Sequence, residues 1–226
     1  MKTSEFNGEL MANNQQTNMV KQQLRTSNVL AEKILALYDR LPRHDFVPTQ
    51  YVDFAYSDIQ IPLEQGQRML TPVEEGLIIQ ELELQGHETV LEIGTGTGFL
   101  TALLSQQAAK VISIDYFSQF TAMAKANLAK YQCNNVELIT ADACAGWLDK
   151  APYDVIVFTG AIETITEMMR LQILPGGKLF AIVGTEPVMQ GQLHQLDHDK
   201  HWQTKILFET SIPPLINKLK PKDFVF

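Results

Sequence analysis

Residues 90–99 read Val-Leu-Glu-Ile-Gly-Thr-Gly-Thr-Gly-Phe, an apolar run that passes through alternate glycines into a helical stretch. Strand, glycine loop and helix in that order admit few architectures, because the glycines let backbone turn tightly and approach a bound group closely. The flanking pattern narrows the choice. Short apolar runs at 89–93, 111–114, 136–140, 154–158 and 178–183 read as strands, and stretches at 73–84, 99–108, 117–131 and 164–171 read as helices, with Pro72 placed to start the first. Strands alternating with helices predict an α/β fold, a doubly wound and mostly parallel sheet with helices on both faces. Runs at 191–196 and 203–208, parted by the polar turn 198–201, predict a closing antiparallel hairpin.

The 226 residues suit a single domain over 19–226, with a helical and irregular part at 19–85, a core at 86–210, and a flexible polar segment at 1–18. Apolar residues at three- and four-residue steps from Val20 to Leu41 predict an N-terminal helical extension, capped anew at Ser27-Asn28 and stopped by Pro42. The prolines of 42–72 make that stretch irregular, and a stretch that long without clear elements is expected to be functional.

Eighteen Lys and Arg against 26 Asp and Glu give a net charge of −8, which repels phosphate backbones and argues against nucleic acid as a partner. The only basic run is Lys218, Lys220 and Lys222. Cys133 and Cys144 are too few for a disulfide framework and read as packing residues, which suits the cytoplasm. No signal peptide and no apolar run near the ~20 residues of a membrane span appears, so no membrane partner is expected. His194, His198 and His201 fall on a strand and its turn rather than one helix face, so no metal is expected, and His44 reads as a packing residue.

Two acids join the glycine loop. Asp115 ends the second strand 21 positions beyond Gly94, where a carboxylate can accept from both hydroxyls of a ribose. Asp142 follows the third strand, where it can accept from an adenine amine while the Ala143 N–H meets a ring nitrogen. Together these describe an adenosine pocket along one edge of the sheet. The dinucleotide fingerprint needs a third glycine where Phe99 stands, and no Lys-Ser or Lys-Thr follows as in a phosphate-binding loop. Glu92 would repel a pyrophosphate and suits a cationic amino-acid moiety. S-adenosylmethionine fits; NAD and ATP fit poorly.

Residues 90–99 resemble the first motif of class I S-adenosylmethionine-dependent methyltransferases. Over about 19–208 the chain resembles the protein-L-isoaspartate (D-aspartate) O-methyltransferase family, most specifically in Met19-Val20-Lys21-Gln22-Gln23-Leu24, Pro42-Arg43-His44-Asp45-Phe46-Val47-Pro48, Ala55-Tyr56-Ser57-Asp58 and Gly66-Gln67. Ala151-Pro152-Tyr153-Asp154 and Pro175-Gly176-Gly177-Lys178-Leu179 add to it. The resemblance implies a Rossmann-like seven-stranded sheet with an antiparallel last strand, and methyl transfer to the free carboxylate of isoaspartyl residues in damaged proteins, leaving S-adenosyl-L-homocysteine. It implies that Gly94, Thr95, Gly96 and Gly98 contact the amino-acid moiety with Glu92 nearby. Asp115 would hold the ribose, with Tyr116 against the adenine, and Asp142 and Ala143 would read the base. Thr159 and Gly160 would line the transfer side, with Gln190 a further candidate.

The chain departs from the family at its active-site serine. The family pattern Thr-Ile-Ser-Gln-Pro is here Arg68-Met69-Leu70-Thr71-Pro72, so Leu70 stands at the serine position and can act only through its backbone, while Thr71 offers a hydroxyl one residue later. Glu163 also departs, placing a charge near the acceptor's approach or starting the next helix. Two alternatives stay open: a methyltransferase with a different acceptor, and a cofactor-binding module without repair activity.

Overall fold

The computed structural model describes residues 14–197, 199 and 201–217. The basic run at 218–222, His198 and most of the polar lead-in therefore lie outside the described residues. Residues 14–19 are helical (α1), inside the segment expected to be flexible, and Gln16 is buried where its amide donates to the Tyr38 carbonyl.

From α1 the chain passes through a π-type turn, Val20–Leu24, and a 3-10 turn, Arg25–Ser27. Asn28 does not cap the following helix as expected. It takes the left-handed conformation, φ 67°, which asparagine tolerates better than most residues, and closes the preceding turn. Helix α2, Glu32–Arg40, has no side-chain cap of its own. Gln80 serves instead: its Oε1 accepts from the Leu30 and Ala31 N–H groups at 2.7 and 3.0 Å.

Two-residue strands β1 (Ile61–Pro62) and β2 (Arg68–Met69) pair as a small antiparallel hairpin. Helix α3, Pro72–Leu82, follows directly, and its first turn buries Glu74 and Glu75. The core alternates β3 (Thr89–Ile93), α4 (Phe99–Ser105), β4 (Lys110–Asp115), α5 (Ser118–Lys130), β5 (Val136–Thr140), β6 (Tyr153–Ile162), the short α6 (Glu167–Arg170), β7 (Ile173–Thr185), β8 (Val188–Leu196) and β9 (Trp202–Thr210). The helix expected from residue 164 begins only at Glu167, with Thr166 as its cap, so Glu163 lies before it rather than starting it.

The seven-stranded sheet has the order β5-β4-β3-β6-β7-β8-β9, parallel from β5 to β7. Antiparallel pairing closes the sheet through two strands. The reversed strand is the sixth, β8; the last, β9, lies at the edge and runs with the first five. A tight β8–β9 hairpin imposes this arrangement, because a strand joined by a short turn pairs with its immediate predecessor.

Side-chain alternation explains the layers. Val90, Val111, Val155 and Phe180 face one side, while Leu91, Ile112, Ile156 and Leu179 face the other, so both faces are apolar and both must be covered. Apolar residues of α2, α3, α4 and α5 complete the first layer. The second is closed by Trp147, Tyr153 and Met169 of the β5–β6 connection, β6 and α6, together with Leu215. From β3 the chain winds towards β4 and β5, then returns to β6 and β7 on the opposite side of β3. The crevice between β3 and β6 is the topological switch point, where such sheets bind ligands.

Candidate cofactor and acceptor site

At the switch point Ile93 pairs with Phe158, which sets Gly94 beside Thr159. The Thr159 hydroxyl donates to the Gly94 carbonyl at 2.7 Å and to the Ile93 carbonyl at 3.0 Å. Gly94 has φ 102°, and a Cβ there would lie 2.1 Å from Thr159 Oγ1. Gly98 has φ 85° at the start of α4, and a Cβ there would lie 2.9 Å from the Ala124 Cβ of α5. The glycines thus remove side chains where loop, strand and two helices crowd together, leaving backbone to line the crevice.

Asp115 and Asp142 reach this crevice from the ends of β4 and β5. Asp115 is 7% exposed; its Oδ2 accepts from the Gly96 N–H and its Oδ1 from the Phe117 N–H, both at 2.9 Å. Burial raises its pKa above the ordinary carboxyl value, and those backbone bonds only partly offset the rise. Burial works the same way at Asp142, but bonds from Asn217 Nδ2 at 2.9 Å and the Cys144 N–H at 3.1 Å outweigh it and hold that carboxyl below its ordinary value. Gly94, Gly96, Asp115, Tyr116, Asp142, Ala143 and Thr159 all line one cleft of about 660 Å³. Thr95 lines a smaller cavity of about 350 Å³ that shares Leu63, Arg68, Gly94, Gly96 and Thr159 with the cleft. Gly160 also lines the larger cleft, whereas Gln190 lies on β8 with its Oε1 accepting from Gln192.

Glu92 lines neither cavity. It shares strand parity with Val90 and points beneath α4, fully buried, where its Oε2 accepts from the Ser113 hydroxyl at 2.6 Å and from the Thr101 hydroxyl. Among the described residues its Oε1 has no hydrogen-bond partner. Burial pushes this carboxyl up to about 7 against those two hydroxyls. Glu92 is therefore a pillar under the glycine loop, and any attraction it exerts on a cation acts through the loop rather than by contact.

The residues expected on the acceptor side, Leu70 and Thr71, follow the β1–β2 hairpin directly. Leu70 is buried and lines the smaller cavity, and its carbonyl accepts from Arg43 Nη2. The Thr71 hydroxyl accepts from the Glu74 N–H at 3.2 Å while Glu74 Oε2 accepts from the Thr71 N–H at 2.8 Å, a reciprocal cap on α3. A Thr71→Ala variant is expected to lose about 1 kcal/mol of stability, read by urea unfolding, and Thr71→Ser to restore it. Methyl transfer lost in Thr71→Ala beyond what Tm explains would assign the hydroxyl to the reaction instead.

Two further segments line the cleft, the first within the stretch 42–72 expected to be functional and the second not expected from the sequence. Leu63, Gln67 and Arg68 form one wall from the β1–β2 hairpin, and Ile212, Pro213, Leu215 and Ile216 form another after β9. The second had a signal, an apolar run beyond the last strand; the Ala161 N–H donates to the Pro213 carbonyl and the Leu215 N–H to the Ala161 carbonyl, seating it on β6. Among the described residues no group of three or more His, Cys, Asp or Glu is placed to hold a metal ion, and no helix is long and apolar enough to cross a membrane. His194 bonds with Gln192 and Thr204, and burial lowers it to about 4.

A doubly wound sheet with a glycine cradle at its switch point and carboxylates on the next two strand ends defines a nucleoside-binding α/β protein of methyltransferase type. The family model for protein-L-isoaspartate(D-aspartate) O-methyltransferase matches residues 14–219, and the chain belongs to that family. It is 37% identical over 166 residues to the protein-L-isoaspartate O-methyltransferase of Methanoculleus marisnigri, covering 74% of this chain and 76% of the relative. It is 32% identical over 199 residues to that of Aliivibrio salmonicida, covering 88% and 95%. Among solved structures, a protein-L-isoaspartate O-methyltransferase superposes with a TM-score of 0.77 at 23% identity, over 90% of this chain and 67% of the other. A Plasmodium falciparum beta-aspartate methyltransferase in complex with S-adenosyl-L-homocysteine gives 0.72 at 13% identity, over 89% and 98%. These two superpositions support the fold.

Proposed function

We propose that the chain is an S-adenosylmethionine-dependent carboxyl methyltransferase acting on the free carboxylate of isoaspartyl residues in damaged proteins. The observation that carries this reading is the cleft itself: family membership is joined to a loop whose backbone lines the cleft at Gly94 and Gly96, with Asp115 and Asp142 at adjoining strand ends. Such a cleft fits an adenosine group bearing positive charge, since Asp115 and Asp142 both line it. Cys133 and Cys144 are unpaired, which supports a cytoplasmic setting.

When bound, S-adenosylmethionine would supply a methyl group activated by its sulfonium. The chain's own task is then positioning. Free carboxylates titrate near ~4, so the acceptor arrives ionised and no general base is needed. Asp115 would orient the ribose with the lone pairs its backbone bonds leave free, and Asp142, held ionised, would accept from the adenine amine. Leu70 and Leu63 make the acceptor side apolar and exclude water, while the capped start of α3 fixes the backbone at Leu70 and Thr71.

Tritiated methyl transfer tests the reading. The chain is expected to label a peptide containing one isoaspartyl residue, and to leave the same peptide with ordinary aspartate unlabelled. Label no greater than that given by an Asp115→Ala variant would overturn it.

A further inference from the structure

We propose that Arg68 receives the carboxylate of the acceptor, making it a specificity-determining residue of this site. The inference rests on the functional reading above and adds a residue to it. Arg68 lines both the large cleft and the smaller cavity, at the passage they share. Among the described residues it is the only cationic side chain lining either. The acidic side chains there are Asp115, Asp142 and Glu75, of which Glu75 is bonded to Arg43 and the two aspartates repel an incoming carboxylate. Without a cation at the passage, the acceptor would approach a wall of its own sign.

The guanidinium is available for that task. Arg68 is exposed, and among the described residues it forms no ion pair. Its hydrogen bond to Gln60 Oε1, from Nη1, is 3.5 Å long, at the limit for such a bond. A surface arginine usually finds an acid nearby; this one faces the cleft with most of its donors uncommitted.

The backbone beneath it is fixed. Arg68 pairs with Pro62 across the hairpin, the Leu63 N–H donates to the Gln67 carbonyl at 2.8 Å, and the buried Arg43 holds the Leu70 carbonyl two residues on. Leu70 stands on the same extended segment and offers no side-chain donor, so among the described lining residues the charged donor for a carboxylate is the planar fork of Arg68. A rigid base and a free head are what a binding arginine needs, because little order has to be created when the acceptor docks.

Two carboxylates could meet this arginine: that of the acceptor and that of the cofactor's amino-acid moiety. Equilibrium binding separates them without requiring turnover. A fluorescein-labelled isoaspartyl peptide is titrated against the full chain saturated with S-adenosylhomocysteine, beside the same peptide with that carboxyl converted to an amide. The wild type is expected to prefer the carboxylate form by about tenfold, the range of a hydrogen bond to a charged group. Arg68→Met is expected to bind both forms alike, at the wild type's amide affinity, with S-adenosylhomocysteine affinity changed less than about twofold. Arg68→Lys is expected to recover part of the preference, since it keeps the charge and loses the fork.

A general disturbance of the fold would weaken both peptides together and lower Tm, and so would not reproduce that pattern. If Arg68→Met keeps the preference, the proposal is overturned. It is equally overturned if the variant loses S-adenosylhomocysteine affinity while the peptide preference stays. A wild type that binds the isoaspartyl peptide selectively but never methylates it would sink the functional reading and leave the Arg68 assignment standing. A wild type that binds neither peptide overturns both.

Discussion

Replacing Gly94 with alanine is expected to weaken S-adenosylhomocysteine binding by about 100-fold and to remove measurable methyl transfer, because strain of a few kcal/mol falls directly on the cofactor loop. Two costs add at this position. The backbone has φ 102°, a region that L residues avoid, and the new Cβ would lie 2.1 Å from Thr159 Oγ1. The hydroxyl cannot simply rotate away, since it is committed to the Gly94 and Ile93 carbonyls at 2.7 and 3.0 Å. The loop must move instead, and with it the Gly96 N–H that holds Asp115 at 2.9 Å. A second variant separates the two costs. With Thr159→Ala added, the nearest remaining atoms to the Cβ are the Thr159 Cβ at 3.5 Å and the Gly160 nitrogen at 3.8 Å, ordinary contacts, so the clash disappears and the φ strain stays. Calorimetric titration with S-adenosylhomocysteine should show the double variant binding more tightly than Gly94→Ala alone. A Gly94→Ala protein that binds within about threefold of wild type would show that the loop is not the cofactor cradle.

That contact also marks the limit of what the chain's pattern reveals. The glycine loop, the strands around it and the acids at positions 115 and 142 are legible because a period of two and local turn chemistry act between near neighbours. The pairing of Ile93 with Phe158 that brings Thr159 onto Gly94 spans 65 residues and is set by the packing of the whole sheet. Parity alone could have placed Glu92: it shares a face with Val90 and so turns under α4, away from the crevice. The β1–β2 hairpin left no trace, since two-residue strands are too short to carry a period, and an exposed Arg68 looks like any surface arginine until the cavity beside it is drawn. The irregular stretch 42–72 was marked as functional by its length, and it does supply that wall. What no periodicity or turn signal singles out in it is the residue that organises it.

That residue is Arg43, and Arg43→Met is expected to cost about 3–5 kcal/mol, the usual penalty for breaking a buried ion pair from one side. For a chain of this size that lowers Tm by roughly 6–20 °C. Arg43 is wholly buried; its Nε donates to Glu75 Oε2 at 3.1 Å, its Nη1 to the Ala55 carbonyl at 2.8 Å and its Nη2 to the Leu70 carbonyl. It joins the turn Arg43–Phe46, residue 55, the end of the β1–β2 hairpin and the first turn of α3. Methionine of similar length fills much of the space but leaves two carbonyls and the Glu75 carboxyl without their donor. The loss should depend on pH, with a sign set by Glu75. Burial raises that carboxyl from 4.5 to about 8, against the pull of Arg43. The folded chain therefore holds a proton there that the unfolded chain releases, and the associated stability is full below pH 4.5 and lost as pH rises through about 8. Without Arg43 nothing offsets the burial and the folded pKa climbs further, so both proteins lose stability in parallel up to about pH 8 and the deficit of Arg43→Met grows only above it. Adding Glu75→Gln should remove the pH-dependent part and leave the cost of the two carbonyls. Urea unfolding from about pH 5 to about pH 10 reads both terms, and a deficit that already grows between about pH 5 and about pH 7 would show Glu75 to be ionised in the wild type at neutral pH. Because Arg43 also fixes the Leu70 carbonyl, and through it the base of Arg68, the double variant should regain stability yet still bind the isoaspartyl peptide weakly; full recovery of peptide binding would mean that the hairpin holds its position without the buried arginine.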